Sequence, residues 1–336
     1  MKLNNYQFYN LIYIIYKRKM KNNQGKKTIK EKKTIKNRHF RMMYGGYYTD
    51  TILKRGIKSL QTYETYPKIK FTILDEEDTA KIVSKLQQSI PECCSDDSVS
   101  YLVILEKLSK NWMTPIFIVG GAVRDYMVTK SIETMNDIDI NYTIHPTEID
   151  NALIDLPIKK LYKDERNYIR IGPKSRADYL EGFYINPLQS KSYELECKMN
   201  SLMFMIDYKN DEYIINLVDL FGGEALTQAL SKIWEAPTTD YNMWLNANPK
   251  LFSRLLKFEL RGYTVPLETK RAVYQYYIDD INITIYSWQN LWWTVSPDKL
   301  ALILDLIIRD CKELGLEPTT LINKLVEKKL IIANKI

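Results

Sequence analysis

Two aspartates one residue apart, Asp137 and Asp139 in the run Asp137-Ile138-Asp139-Ile140, are the side chains of this sequence best placed to do chemistry. Strand periodicity puts both carboxylates on one face and the two isoleucines on the other. Closely spaced acids are hard oxygen donors, and two Mg²⁺ ions about 3.5–4 Å apart on such acids suit transfer of a nucleotidyl group to a hydroxyl. Gly121 lies sixteen residues before Asp137, and the pair Gly120-Gly121 ends the apolar run Ile116–Val119. Glycine lets backbone amides come close to a triphosphate, and the N-terminus of a following helix adds a favourable dipole. Arg124 is suited to bidentate pairing with phosphate or with an acid. Asp125 beside it reads as a helix N-terminal acid, an arginine partner or a supporting catalytic group.

The elements that must hold these groups can be read from periodicity. Lys68–Leu74 reads as a short strand. Ile82, Leu86 and Ile90 recur at four-residue spacing and predict a helix over Asp78–Ile90, capped by Asp78 and ended by Pro91. Leu102, Leu105 and Leu108 predict another over Ser98–Leu108. Ile116–Val119 is a strand, Ala122–Met127 opens a helix, and Asp137–Tyr142 is the strand that carries the acids. A helix over Asp150–Leu156 follows, then extended segments over Tyr168–Ile171 and Ala177–Tyr184 with Gly172-Pro173 as the turn between them. Tyr193–Asp207 and Asp211–Asp219 close the sheet region. Beyond Gly222-Gly223 every pattern is helical: Glu224–Ile233, Lys250–Arg261, Glu268–Tyr277, Pro297–Leu314 and Thr320–Ala333. The expected class is α+β, a mixed sheet with flanking helices followed by an all-helical region. The expected division is a basic arm over 1–50, a lead-in over 51–77, a head over 78–235 and a helical neck and body over 236–336.

Charge is uneven along the 336 residues. Residues 1–50 hold thirteen Lys and Arg against Glu31 and Asp50, whereas residues 51–336 carry a net charge of −4. Attraction to a polyanion is therefore concentrated in the arm. No run approaches the roughly 18 apolar residues of a membrane span, so no membrane role is expected. Cys93, Cys94, Cys197 and Cys311 form no C-x-x-C pair, and His39 and His145 are the only histidines. That composition argues against a zinc site and for reduced thiols in an intracellular protein. A cytoplasmic setting is expected, with mitochondrial import the alternative suggested by the acid-free residues 1–30.

Gly120-Gly121-Ala122-Val123-Arg124-Asp125 followed by Asp137-Ile138-Asp139 resembles the head domain of bacterial-type (class II) tRNA CCA-adding enzymes and poly(A) polymerases, in the polymerase-beta-like nucleotidyltransferase superfamily. Leu217-Val218-Asp219-Leu220-Phe221-Gly222-Gly223 is similar to a segment near the end of that head. Arg254-Leu255-Leu256-Lys257-Phe258-Glu259-Leu260-Arg261-Gly262-Tyr263 resembles the family's basic neck helix, and Val295–Lys299 the start of a later one. The resemblance spans roughly residues 80–310.

It implies that Asp137 and Asp139 hold two Mg²⁺ ions and that Gly120, Gly121 and Arg124 contact the incoming triphosphate. Arg254, Lys257 and Arg261 would help bind nucleotide along one helix face, with Leu255 and Phe258 packing that helix on the head. A third carboxylate is expected on a later strand, with Glu181 the first candidate and Glu194 and Glu196 its rivals. Asn200 matches a family position, but arginines expected around Glu196 are missing, and Lys198 is the one nearby charge. The implied activity is template-independent addition of CCA or A to an RNA 3′ end, tRNA foremost, from ATP and possibly CTP. Competing readings are a dedicated poly(A) polymerase, a catalytically weak RNA-binding subunit derived from the family, and a transferase acting on a small molecule or protein. The stretch after Val295–Lys299 is short for the family, so either the basic arm or a partner subunit would supply RNA contacts.

Overall fold

The computed structural model describes residues 69–90, 99–158, 161–163, 168–172, 179–184, 191–292 and 295–328. The basic arm, most of the lead-in, Cys93 and Cys94 lie outside the described residues.

Eight strands form one sheet: β1 (Lys70–Ile73), β2 (Ile116–Val119), β3 (Asp137–Tyr142), β4 (Leu161–Lys163), β5 (Tyr168–Ile171), β6 (Tyr179–Tyr184), β7 (Met203–Lys209) and β8 (Glu212–Asp219). Their spatial order is β1-β8-β7-β2-β3-β6-β5-β4. The pairing of β3 with β6 is parallel and the other ladders are antiparallel. Alternation within each strand gives the sheet two unlike faces. One face carries Ile116, Ile118, Ile138, Ile140, Ile169, Ile171, Leu180, Phe204 and Ile206 into the main core. There they meet α1 (Glu76–Leu86), α2 (Tyr101–Leu108), α3 (Gly121–Thr129) and α4 (Ile149–Leu153). On the other face, Phe117, Met203, Met205, Val218 and Leu220 form a smaller apolar cluster over β2, β7 and β8. Across β3, β6 and β5 that same face carries Asp137, Asp139, Glu181 and Arg170 together with the rings of Tyr168 and Phe183.

After β8 the described chain is helical: α5 (Glu224–Leu230), α6 (Tyr241–Ala247), α7 (Leu251–Leu260), α8 (Leu267–Asp279), α9 (Ile281–Trp292), α10 (Leu300–Leu314) and α11 (Pro318–Glu327). The helix α7 is central to this half. Leu251, Phe252, Leu255, Leu256 and Phe258 are all buried, which leaves Arg254 and Lys257 on the side toward the sheet acids. Burying each of the larger apolar side chains contributes about 1.5–3 kcal/mol, so this face fixes the helix and the aim of its cations. A parallel bridge between Ile233 and Thr264 ties the start of the helical half to the loop after α7. No helix among the described residues is long and apolar enough to cross a membrane.

Two expectations are corrected. The first helix begins at Glu76, and its cap is Asp75, whose Oδ1 accepts from the Asp78 amide at 2.7 Å. Asp78 instead turns inward to accept from the Tyr126 hydroxyl and the Lys130 ammonium. The short strand expected over Lys68–Leu74 is β1, which pairs along β8 at the edge of the sheet. Tyr193–Asp207 is not one extended segment: two 3₁₀ turns, Ser192–Glu194 and Lys198–Ser201, precede a strand that starts only at Met203. That irregular stretch has a use, because it brings Glu196 and Asn200 under α7.

Candidate active site

The apolar run Ile116–Val119 is buried as a central strand and stops at Gly120, whose φ of +79° and ψ of −146° lie where L side chains rarely go. A Cβ at Gly120 would sit 3.1 Å from Oδ2 of Asp139. Both the backbone and the close approach of that carboxylate therefore require glycine. Helix α3 starts at once at Gly121, and Gly120 has no side chain with which to cap it. Its first turn therefore has no side-chain cap, and an uncapped helix N-terminus favours negative charge on a ligand.

Register assembles the acids. Val119 pairs with Asp139 across β2–β3, and Asp139 pairs with Glu181 across the parallel β3–β6 ladder. Asp137, Asp139 and Glu181 therefore share one face. Burial, followed by the Glu181 charge, pushes Asp137 up to about 6, with Arg170 and Lys257 opposing. Burial, then Asp137 and Glu181, pushes Asp139 up to about 8, with Arg254 opposing. Asp137 and Asp139, crowded by Glu181, are both harder to ionise than an ordinary aspartate, and a divalent ion would relieve both repulsion and desolvation.

Glu181 is also held by its own neighbours. It accepts from the Tyr168 hydroxyl, and its Oε1 lies 3.4 Å from Nε of Arg170, the residue opposite it on β5. Among the described residues no group of three or more His, Cys, Asp or Glu side chains forms a ready metal cage. Two carboxylates with water and substrate phosphate completing the shell is nevertheless the ordinary Mg²⁺ arrangement, and the oxygen donors of Asp137 and Asp139 fit it. Of the rival acids, Glu194 accepts from the Lys191 amide at 3.1 Å in a 3₁₀ turn, and Glu196 belongs to a different network.

That network runs from the head to α7. Arg124 is 5% exposed; its Nε and Nη2 lie 2.8 Å from Oδ1 of Asp125, and its Nη1 donates to Oδ1 of Asn200 at 2.7 Å. Its guanidinium also lies over the Phe258 ring, 4.9 Å from the centroid. Asn200 Nδ2 donates to Oε2 of Glu196 at 3.0 Å, and Oε1 of Glu196 meets Nε of Arg254 at 2.8 Å. Arg124 therefore braces the site rather than pointing freely into it, and Asp125 is its partner. Lys257 is next along α7; burial, then Arg254 and Arg261, pushes its ammonium down to about 8. Arg261 lies exposed just past the helix end. The cations on this side of α7 thus repel one another across from acids that repel one another, an arrangement poised for an anionic ligand with its metal.

Several contributors were less visible in sequence. Arg170 and Tyr168 hold Glu181, and the only signal was the alternation of Tyr-Ile-Arg-Ile. Lys198 does not replace the missing arginines: its Nζ lies 3.3 Å from Glu224 and 3.4 Å from Glu235. Cys197 is fully buried, and burial pushes its thiol up to about 12, so it is a core residue. Asp219 is structural as well, its carboxylate accepting from the Phe221 amide at 2.8 Å and the Leu226 amide at 2.9 Å.

A parallel-paired carboxylate cluster beside a glycine turn, faced by a basic helix, can hold a cation and a polyanionic ligand together. Residues 116–212 match a protein-family model described as the poly A polymerase head domain. No curated protein matches the chain by sequence. Among solved structures, a CCA-adding enzyme in complex with ATP is similar at 17% identity over 76% of this chain and 53% of its own, with a TM-score of 0.45. The complex with CTP gives 17% identity, 72% and 53% coverage and a TM-score of 0.49. The Thermotoga maritima CCA-adding enzyme complexed with tRNA gives 18%, 76%, 54% and 0.43. The chain spans about half the length of these proteins.

Proposed function

We propose that this protein transfers nucleotides from ATP, and from CTP, to the 3′ end of an RNA, with tRNA as the acceptor. The observation that carries the proposal is the register that lines up Asp137, Asp139 and Glu181 opposite Arg254 and Lys257, at the mouth of the Gly120–Gly121 turn. In the reaction the acceptor's 3′-hydroxyl gives up its proton to water and its oxygen forms a bond to the α-phosphorus, while the bond to the bridging oxygen breaks and pyrophosphate leaves. Asp137 and Asp139 would hold Mg²⁺, which when bound supplies activation of the hydroxyl and neutralisation of the phosphates. Lys257 and Arg254 face the triphosphate and balance its charge, while the α3 amides receive its oxygens. Glu181, pinned by Tyr168 and Arg170, keeps negative potential beside the acids. Arg124 and Asn200 fix Glu196, which in turn fixes Arg254.

The test is incorporation by purified protein, with ATP, CTP, UTP and GTP supplied separately, on tRNA lacking its terminal CCA. Wild-type protein is expected to extend the acceptor. Asp137→Ala and Asp139→Ala should each lower the rate at least 10³-fold in order of magnitude, while still folding and still binding tRNA. Unchanged incorporation by both variants would sink the assignment. An inert wild type that binds tRNA would favour a binding subunit derived from such an enzyme.

A further inference from the structure

The face that carries the acids does not stop at Glu181. Strand alternation puts Phe183 on the same side, two residues along β6. The ladder pairs Phe183 with Tyr168, Glu181 with Arg170, and Arg170 with Tyr162 on β4. Paired residues share a face, so Tyr162, Tyr168, Arg170 and Phe183 make an aromatic and basic patch running outward from the acids. Phe183 is 40% exposed and Tyr162 is 39% exposed. Over β2, β7 and β8 the same face is closed by its own apolar cluster; over these outer strands it presents large rings to the surroundings.

Resting on the transfer reading above, we propose that this patch is a stacking platform for the unpaired 3′-terminal bases of the acceptor RNA, with Phe183 as its centre.

The chemistry fits single-stranded nucleic acid better than a protein. Every base has a π-face, and ring surfaces interleaved with arginine are how unpaired strands are held without reading their sequence. The platform is backed firmly. The Tyr168 ring lies 5.0 Å from that of Phe183, and the Tyr168 hydroxyl is anchored on Glu181. A Cβ at Gly182 would come within 2.7 Å of Ile169 and 3.2 Å of Ile140, so β6 is packed tightly onto its neighbours from the other face. Two residues along a strand span roughly 6.6 Å, about two base rises of roughly 3.4 Å. A base on Phe183 would therefore sit one or two nucleotides before the one whose 3′-hydroxyl meets Asp137 and Asp139.

The experiment uses the full chain and a 5′-labelled acceptor minihelix with an unpaired 3′ end, intact or carrying an abasic site at the penultimate nucleotide. Phe183→Ala should weaken acceptor binding by about tenfold in anisotropy, with the ATP KM unchanged, and Phe183→Trp should restore affinity. The abasic acceptor should bind wild type about as weakly as the intact acceptor binds Phe183→Ala, and the variant should not sense the abasic site. Equal affinity of wild type and Phe183→Ala, or an equal abasic penalty in both, overturns the platform. Self-association that requires Phe183, seen in sedimentation, overturns it in favour of a protein contact. These readouts need no turnover: Phe183-dependent binding by a wild type that never incorporates would support the platform and refute only the transfer reading.

Discussion

One helix, α7, carries two ionic clusters on opposite sides, and they are built on different rules. Toward the sheet it presents Arg254 and Lys257 to acids that remain crowded and hard to ionise. Away from the sheet it presents Glu259 to a closed cluster shared with α8 and α10. There Lys270 Nζ lies 3.0 Å from Glu259, 2.9 Å from Asp310 and 3.0 Å from Glu313. Arg309 adds contacts of 2.9 Å to both Glu259 and Asp310, and the Tyr274 hydroxyl donates to Asp310 at 2.9 Å. In this second cluster, cations sit within 3 Å of their acids and no further ligand is needed. In the first, Glu196 holds Arg254 and Arg170 lies beside Glu181, but among the described residues Asp137, Asp139 and Lys257 have no ion pair of that kind, which leaves room for the charge of a ligand. The contrast separates what holds α7 in place from what α7 is positioned to bind.

Removing the central cation of the closed cluster should have the largest effect. Lys270→Met leaves buried Asp310 without its lysine, and breaking a buried pair from one side costs about 3–5 kcal/mol. Chemical denaturation should show that loss, with ATP affinity of the remaining folded protein close to wild type. An unchanged midpoint would mean that this cluster is not what secures α7.

The matching change on the other side should behave in the opposite sense. Glu196→Gln keeps the shape and the Asn200 contact but removes the carboxylate that aims Arg254. The ion pair is partly exposed, so its loss should cost about 1 kcal/mol of stability or less. Misdirecting Arg254 should raise the KM for ATP and CTP by about tenfold, equivalent to about 1.4 kcal/mol. A large stability loss with normal KM would erase the distinction between the two clusters.

How far the sequence reveals this arrangement depends on how local each contact is. Gly120, Gly121, Asp137 and Asp139 are legible because two adjacent strands and one turn place them, and alternation alone puts both acids on one face. Glu181 needs the parallel β3–β6 register, which no local pattern specifies, and so it competes on paper with Glu194 and Glu196. The members of the Arg124–Asn200–Glu196–Arg254 chain are each visible as motif residues, but their pairing spans 76 residues between Arg124 and Asn200 alone. Helix α9 escapes because INITIYSWQNLW is rich in β-branched and aromatic residues that also suit a strand. Its buried Thr284, Ser287, Trp288 and Leu291 nevertheless keep helical spacing, so packing rather than propensity decides it. The strand β4 has three residues and no alternation long enough to read.

The finest test of the comparison is pH. Lys270 and Arg309 face three acids, Glu259, Asp310 and Glu313, so the closed cluster balances best when one acid is neutral. Burial first, and then the adjacent Asp310, push Glu259 up to about 7 from an ordinary 4.5. The folded protein therefore holds a proton between pH 4.5 and about 7 that the unfolded chain has released. Stability from this group is complete below pH 4.5 and is lost as pH rises through about 7. Glutamine reproduces the protonated form at every pH. Glu259→Gln should match wild type in acid, flatten the fall in stability across that window, and exceed wild type above it by up to about 3 kcal/mol. Asp310 shifts in the opposite direction and titrates below the window, so it does not mask the effect. Tm measured against pH for the two proteins decides the matter. Parallel curves would show that Glu259 is ionised throughout, and that the closed cluster carries an uncompensated charge much as the open one does.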